Sequence, residues 1–422
     1  MSGSDIWQMS VDEQIKIIKR GAEKILPDEE ALRYKLTTAQ KEGRPLRIKL
    51  GIDPTVTDIH LGHTVPLRNL RRFQDLGHTA ILVLGDFTAT VGDPSGRSKA
   101  RPPLSHEQVL ENAATYKEQV SKILDLERAE VVYNSTWLAK LTLKDLIFIG
   151  SHISVKRMLE GEYFGRRFED PDQTVFLHEM FYPIMQGMDS VSINADIELG
   201  GTDQEFNCLM GRDLQRLYGQ EPQVVVTFPL LPGLTGTEKM SKSLGNYVGV
   251  SWGAQEQFNK LMTMSDDHIG IYYRLLTDVP IEEIEEKIQA IQNGQADPRE
   301  VKKQLVTEIV SQFHGPEAAR RAAEDYERYA EIRRTGGKTD QLPSNIPIAK
   351  IKLDPEGTRL THILVTTGMA SSNSEAKRLI RQGGVRLRGE VVKDDTHVIT
   401  PGQLHEALLQ VGSRTPVILQ EE

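Results

Sequence analysis

The feature that most constrains this chain is a rhythm. Short apolar runs rich in β-branched residues recur at 46–52, 79–84, 130–133 and 223–228, with helical stretches between them. Strands that alternate with helices predict a parallel sheet in a doubly wound α/β domain. The stretch from about 138 to 182 is long for one crossover and predicts an inserted helical subdomain. Near the start, Ser10 and Glu13 have capping-box spacing, and Val11, Ile15 and Ile18 share one face, so a helix is expected there.

Past residue 235 the strand pattern fades. Ile281, Ile284, Ile288 and Ile291 form one apolar stripe and Val301, Leu305, Ile309 and Phe313 another, punctuated by Asp297-Pro298 and Gly315-Pro316. The expected plan is an α/β domain over 1–235 with its insertion at about 138–182, a lysine loop and all-α domain over 236–335, a Gly- and Pro-bearing linker over 336–355, and a small α+β module over 356–422. A length of 422 residues suits two or three domains.

The tail module carries its own signal. Ser372 and Glu375 again have capping-box spacing. A helix with Ala376, Leu379 and Ile380 inward turns Lys377, Arg378 and Arg381 outward. Arg386 and Arg388 then alternate with Val385 and Leu387 before a turn at Gly389-Glu390. Cations gathered from a helix and a hairpin suit a phosphate backbone, so the module is expected to bind RNA. The net charge of −9 argues against indiscriminate nucleic-acid binding, yet allows a local basic patch. Cys208 is the only cysteine, which excludes an internal disulfide and a thiolate metal cage. No run approaches the roughly 18 apolar residues of a membrane span and no signal pattern opens the chain. A cytoplasmic protein with no membrane association is expected.

Two motifs concentrate chemistry. Gly51-Ile52-Asp53-Pro54-Thr55 ends a predicted strand and leads to His60-Leu61-Gly62-His63. Pro66 is tolerated only near a helix start, so the helix should begin near His63, with two imidazoles beside its positive end. Gly62, lacking a side chain, lets a flat base approach the backbone. A zinc pair from H-x-x-H is the alternative, but the H-E-x-x-H spacing and a cysteine partner are absent. Far downstream, Lys239-Met240-Ser241-Lys242-Ser243 puts two ammonium groups three residues apart, as a triphosphate would require. Gly92 through Ser98 lacks P-loop spacing, and no G-x-G-x-x-G occurs, which argues against a P-loop NTPase or an ordinary dinucleotide enzyme.

Together, His60–His63 and Lys239–Ser243 resemble the paired signatures of class I aminoacyl-tRNA synthetases. Tyr182, Gln186 and Asp189, followed by Gly200-Gly201-Thr202-Asp203-Gln204, resemble the bacterial tyrosyl-specific family, over nearly the whole chain. The resemblance implies a Rossmann-like catalytic domain, ATP with Mg²⁺ as substrate, L-tyrosine, tRNA(Tyr), and a homodimer joined through the insertion. It implies that Tyr182, Gln186, Gln204 and Asp93 hold the ammonium group or ring. Asn134 lines the pocket and Asp189 accepts the phenol hydrogen. Gly201 and Asp203 lie against the ATP ribose, with Gly62 and Ser243 also at the nucleotide. Thr55, His60 and His63 meet the triphosphate, and Lys239 and Lys242 close on the leaving pyrophosphate. Arg97 and Arg101 fall where the family is often basic. No protein-bound metal is expected. Leu61 replaces the family's usual isoleucine, and Lys49 stands where many members place a tyrosine that touches the phenol. The rival readings are a tryptophan-specific enzyme, a non-catalytic RNA-binding protein with a nucleotide fold, and a nucleotidyltransferase acting on a small metabolite.

Overall fold

A computed structural model describes residues 9–55, 57–95, 106–335, 342–343, 346–404, 407–412 and 414–422. Six strands, β1 (Lys24–Leu26), β2 (Arg47–Ile52), β3 (Thr79–Leu84), β4 (Glu130–Tyr133), β5 (Ile197–Gly201) and β6 (Val224–Phe228), form one sheet in the order β1-β6-β5-β2-β3-β4. Neighbours are parallel except at the edge, where β1 runs antiparallel to β6. The chain winds outward from β2 through β3 to β4, then crosses back to lay β5 on the other side of β2. That reversal makes the β2/β5 boundary the switch point, where a crevice opens beyond the carboxyl ends of the strands. The sheet is thus the expected doubly wound one with two additions: the antiparallel edge strand β1 and the strand β5.

β3 is buried from Ala80 onward, which is why it reads as an unbroken apolar run. The helix Leu61–Asp75 follows β2 and packs on the sheet through Leu61, Val65, Leu70 and Phe73. The expected insertion consists of the short helices Ser135–Leu138, Leu143–Gly150, Val155–Leu159 and Glu162–Glu169, and runs into the longer Leu177–Ser192. Leu138, Ile149, Met158 and Phe164 pack against Tyr182, Met185 and Met188 of that longer helix. Arg167 and Glu179 form a buried ion pair at 2.7 Å beside it.

The helices Ala254–Leu261, Ile269–Leu276, Ile281–Gln292, Pro298–His314 and Pro316–Thr335 come next after the lysine loop. The chain divides into two compact units, 1–252 with 260–305, and 253–259 with 306–422. In the second unit, β7 (Ile348–Ile351), β8 (Thr358–Arg359), β9 (Val385–Leu387), β10 (Glu390–Val392), β11 (Val398–Ile399), β12 (Ala407–Val411) and β13 (Val417–Glu421) make a five-stranded sheet, β10-β9-β12-β13-β7, and a β11-β8 ribbon. β7 lies in the stretch expected to be linker, yet pairs in parallel with β13. The helices Leu360–Thr366 and Asn373–Arg381 share a core with this sheet through Leu364, Ala376, Ile380, Val385 and Leu409. Among the described residues no helix is long and apolar enough to cross a membrane.

Candidate active site

The crevice predicted by topology is a cavity of about 430 Å³. Fifteen candidate residues from six separate stretches of sequence line it: Thr55, His60, Gly62, His63, Asp93, Asn134, Tyr182, Gln186, Asp189, Gly201, Asp203, Gln204, Lys239, Lys242 and Ser243. Arg97 and Arg101 lie outside the described residues. The five basic tail residues belong to the second unit.

At the mouth, His60 caps the helix Leu61–Asp75, so the helix starts slightly earlier than its spacing suggested. The His60 and His63 rings stack with centroids 3.8 Å apart, and the His60 backbone N–H donates to His63 Nδ1 at 3.3 Å. Burial, together with His63 and the cations Lys242 and Lys239, holds His60 down to about 2. The ring is therefore neutral at physiological pH. Among the described residues its buried Nδ1 has no hydrogen-bond partner.

The lysine loop is fastened opposite. Pro232 and Lys239 form a β-bridge, and Asn246 accepts from the Ser241 N–H at 2.8 Å while donating to the Lys239 carbonyl at 3.2 Å. Lys239 Nζ meets Asp203 at 3.0 Å and Lys242 Nζ meets Asp58 at 3.1 Å. The two signatures thus face one cavity although about 180 residues separate them. Asn246 and Asp58 carried no sequence motif that marked them.

Deeper, the wall is anionic. Gln204 Nε2 and the Ser95 hydroxyl donate to Asp93 Oδ2 at 2.7 and 2.6 Å. Asp53 accepts from Thr88 Oγ1 at 2.7 Å and from the Tyr182 hydroxyl at 2.8 Å. Burial pushes Asp53 up to about 7 against those two hydrogen bonds, and raises Asp93 as well. In the same wall, Trp137 Nε1 donates to Asp189 Oδ1 at 2.8 Å and Asn134 Nδ2 to Oδ2 at 3.3 Å. Two contacts on a group with about four lone-pair sites leave acceptor capacity for a ligand. Tyr182, Gln186 and Asp189 reach this wall because their spacing puts them on one face of the helix Leu177–Ser192. Asp53, Thr88 and Trp137 were not singled out from sequence. Asp53 was the legible one, a carboxylate at the carboxyl end of β2, where doubly wound sheets bind ligands.

Lys49 does not line the cavity. Its ammonium group turns behind the wall to Glu198. No cluster of three or more His, Cys, Asp or Glu suited to a metal occurs among the described residues.

In the tail, Lys377, Arg378, Arg381 and Arg388 are exposed and Arg386 is partly so. Ser372 caps its helix as its spacing suggested, but the Glu375 carboxylate reaches back to Ser371 rather than to Ser372. Arg388 is not on a strand. With Gly389 it forms the two-residue turn between β9 and β10, both at positive φ (50° and 80°), the geometry of tight hairpins.

The family model for class I tRNA synthetases (W and Y) matches residues 40–330, and an S4 domain model matches 358–404. The chain is 47% identical to the tyrosine–tRNA ligase of Moorella thermoacetica, over 96% of this chain and 95% of that one. It is 48% identical to the tyrosine–tRNA ligase of Carboxydothermus hydrogenoformans, over 96% and 98%. Among solved structures, the tyrosyl-tRNA synthetase of Archaeoglobus fulgidus, complexed with L-tyrosine, superposes with a TM-score of 0.60 at 23% identity, covering 74% of this chain and all of that one. A truncated mitochondrial tyrosyl-tRNA synthetase from Aspergillus nidulans gives 0.63 at 22% identity, over 77% and 98%.

Proposed function

The chain belongs to the class I tyrosyl-tRNA synthetases, and on that premise we propose how its cavity divides the work of joining L-tyrosine to tRNA at the expense of ATP. In the first step a tyrosine carboxylate oxygen attacks the α-phosphorus of Mg²⁺–ATP and the bond to pyrophosphate breaks. In the second, a hydroxyl of the tRNA's terminal adenosine attacks the tyrosyl carbonyl and AMP leaves. The substrates supply the nucleophiles, so the protein's contribution is orientation and stabilisation of charge developing on phosphate oxygens.

The single observation that carries the reading is the convergence of His60, His63, Lys239 and Lys242 on a cavity that the buried Asp189 also lines. His60, being neutral, serves through a ring N–H. Lys239 and Lys242 supply positive charge to the β- and γ-phosphates. Both begin bound to carboxylates. When ATP enters, Lys239 exchanges Asp203 for phosphate and Asp203 turns to the ribose hydroxyls, so the grip is strongest when the triphosphate carries most charge. Asp93, Tyr182, Gln186 and Gln204 receive the ammonium end. Asp189, braced by Asn134 and Trp137, accepts the phenol hydrogen, which phenylalanine lacks.

The basic face of the tail module takes the tRNA backbone. A homodimer is supported by the insertion, where the exposed large apolar side chains of the described residues concentrate, Leu143 at 72% and Leu177 at 69% exposure among them. These substrates and this soluble dimer suit the cytoplasm. A pyrophosphate-exchange screen across the amino acids tests the reading. Exchange stimulated by tyrosine alone is expected, and stimulation by tryptophan instead would overturn it.

A further inference from the structure

β2 is a central strand, and such strands normally carry unbroken apolar runs. Lys49 interrupts this one. Its side chain is wholly buried, as is that of Glu198 on neighbouring β5, and they meet at 2.8 Å. A buried ion pair is commonly no more stable than an apolar pair of the same volume, so stability does not account for it.

The remaining contacts say what the pair holds. Lys49 Nζ donates to the Gln186 carbonyl oxygen at 2.7 Å and to Ser190 Oγ at 2.8 Å. Glu198 accepts from Gln186 Nε2 at 3.1 Å, from Ser190 Oγ at 3.2 Å, and from Gln223 Nε2. Gln186 and Ser190 bracket Asp189 on its helix. The pair therefore grips from behind the one helical turn that presents Asp189 to the cavity.

We infer that Lys49, held by Glu198, is the positioning residue for phenol selectivity: it fixes the turn from Gln186 to Ser190 and keeps the Asp189 carboxylate charged, so that Asp189 meets the substrate hydroxyl as an ionised acceptor. The inference rests on the tyrosine reading above. Charged and titratable groups act on Asp189 from each side: Lys49 from β2, Glu198 from β5, Asp53 from the end of β2, and Tyr182 from the same helix. Trp137 and Asn134 contact it but carry no charge. Burial lifts Asp189 to about 6; Lys49 is the strongest influence pulling it down, and Glu198 pushes it up. Without Lys49 the carboxyl moves further up, toward protonation at neutral pH, and the charge-assisted bond to the phenol is lost.

The test is the pH profile of the KM for tyrosine in pyrophosphate exchange, in the full-length protein and in two variants. Binding needs ionised Asp189, so the rise in wild-type KM steepens as pH falls below about 6, beyond the shallower rise that Asp53, near 7, already gives. In Lys49→Met that limb moves to higher pH, and near pH 7 the KM rises about tenfold for each pH unit by which Asp189 exceeds the assay pH. The kcat at saturating tyrosine stays close to wild type, because the loss is one of binding. Lys49→Met/Glu198→Met removes both charges and keeps apolar volume, which guards against misfolding of the single variant. Its limb also moves upward, because the pull of Lys49 outweighs the push of Glu198. The kcat/KM for phenylalanine, which leaves an ionised Asp189 unsatisfied, does not fall in either variant. A double variant that is folded by circular dichroism and keeps the wild-type profile would overturn the inference while the wild type still activates tyrosine. A wild type that does not activate tyrosine would overturn both the reading and the inference.

Discussion

Replacing Lys242 by alanine separates a structural role from a catalytic one, because the two predict effects of different size. The ammonium group sits 3.1 Å from Asp58, with side chains 22% and 34% exposed, and lies 5.8 Å from the centroid of the Tyr247 ring. An ion pair this open to solvent is worth at most about 1 kcal/mol. In a domain of this size that corresponds to a melting shift of no more than about 2–4 °C. A cation placed against charge that develops in the transition state is worth roughly 2.7–4 kcal/mol, or about 10²–10³ in rate. Lys242→Ala should therefore slow single-turnover adenylate formation by about two to three orders of magnitude. Tyrosine affinity, measured by equilibrium binding, should stay within about twofold, because Lys242 lies at the mouth and Asp189 is buried in the wall. Stopped-flow fluorescence for the rate and calorimetric melting for stability make the comparison. An unchanged rate would remove Lys242 from the leaving-group role. A slowed rate matched by an equal loss of tyrosine affinity would show that the residue shapes the ground-state pocket instead.

Two further outcomes are expected. Ile147→Asp, at a position 64% exposed in the protomer, should leave the fold intact but give a monomer in analytical ultracentrifugation, since a carboxylate would otherwise be buried at the proposed dimer contact; a wild type that sediments as a monomer at micromolar concentration refutes that contact. Tyrosine binding should release protons. Burial pushes Asp53 up to about 7. An arriving ammonium group lowers that value, so a carboxyl that is about half protonated at pH 7 gives up as much as about half a proton, and the release fades by about pH 8.5, where the free carboxyl is already ionised. Calorimetry in buffers of different ionisation enthalpy reads this directly, and a buffer-independent enthalpy at pH 7 refutes it.

The strands that could be read from sequence are those whose neighbours are apolar. β2, β3, β4 and β6 announce themselves through short runs rich in aliphatic and β-branched residues, even though Lys49 interrupts the run in β2. β5 does not, because its Ile-Glu-Leu-Gly-Gly sequence places a glutamate in a wholly buried position and ends in two glycines. Glu198 makes sense only beside Lys49, a partner on another strand. β1, at three residues, is too short to show a period. The site divides the same way. His60–His63, Lys239–Ser243 and the helical face of Tyr182, Gln186 and Asp189 are local patterns and were legible. Asp58, Trp137 and Asn246 act through partners that only the fold supplies, Asp58 through a lysine 184 residues away. The basic tail was legible as a composition, but the position of Arg388 in the turn depended on a hairpin register fixed by the pairing of Val385 with Val392.

The cavity's charges are sorted by depth, and under the proposed roles that sorting does part of the chemistry. Lys239 and Lys242 stand at the mouth, while Asp53, Asp93 and Asp189 occupy the interior with their acidities weakened by burial. Tyrosine enters as a zwitterion with a phenol at the other end. If its ammonium group sits at Asp93, its carboxylate is repelled by the same interior anions and drawn toward the lysines. That is the direction from which the α-phosphorus of ATP arrives. The nucleophile is thus aimed by the field of the site, without a general base. Asp203 and Asp58, paired with the lysines, weaken that pull enough that the carboxylate is oriented toward the mouth without being bound there, and the more highly charged triphosphate displaces them.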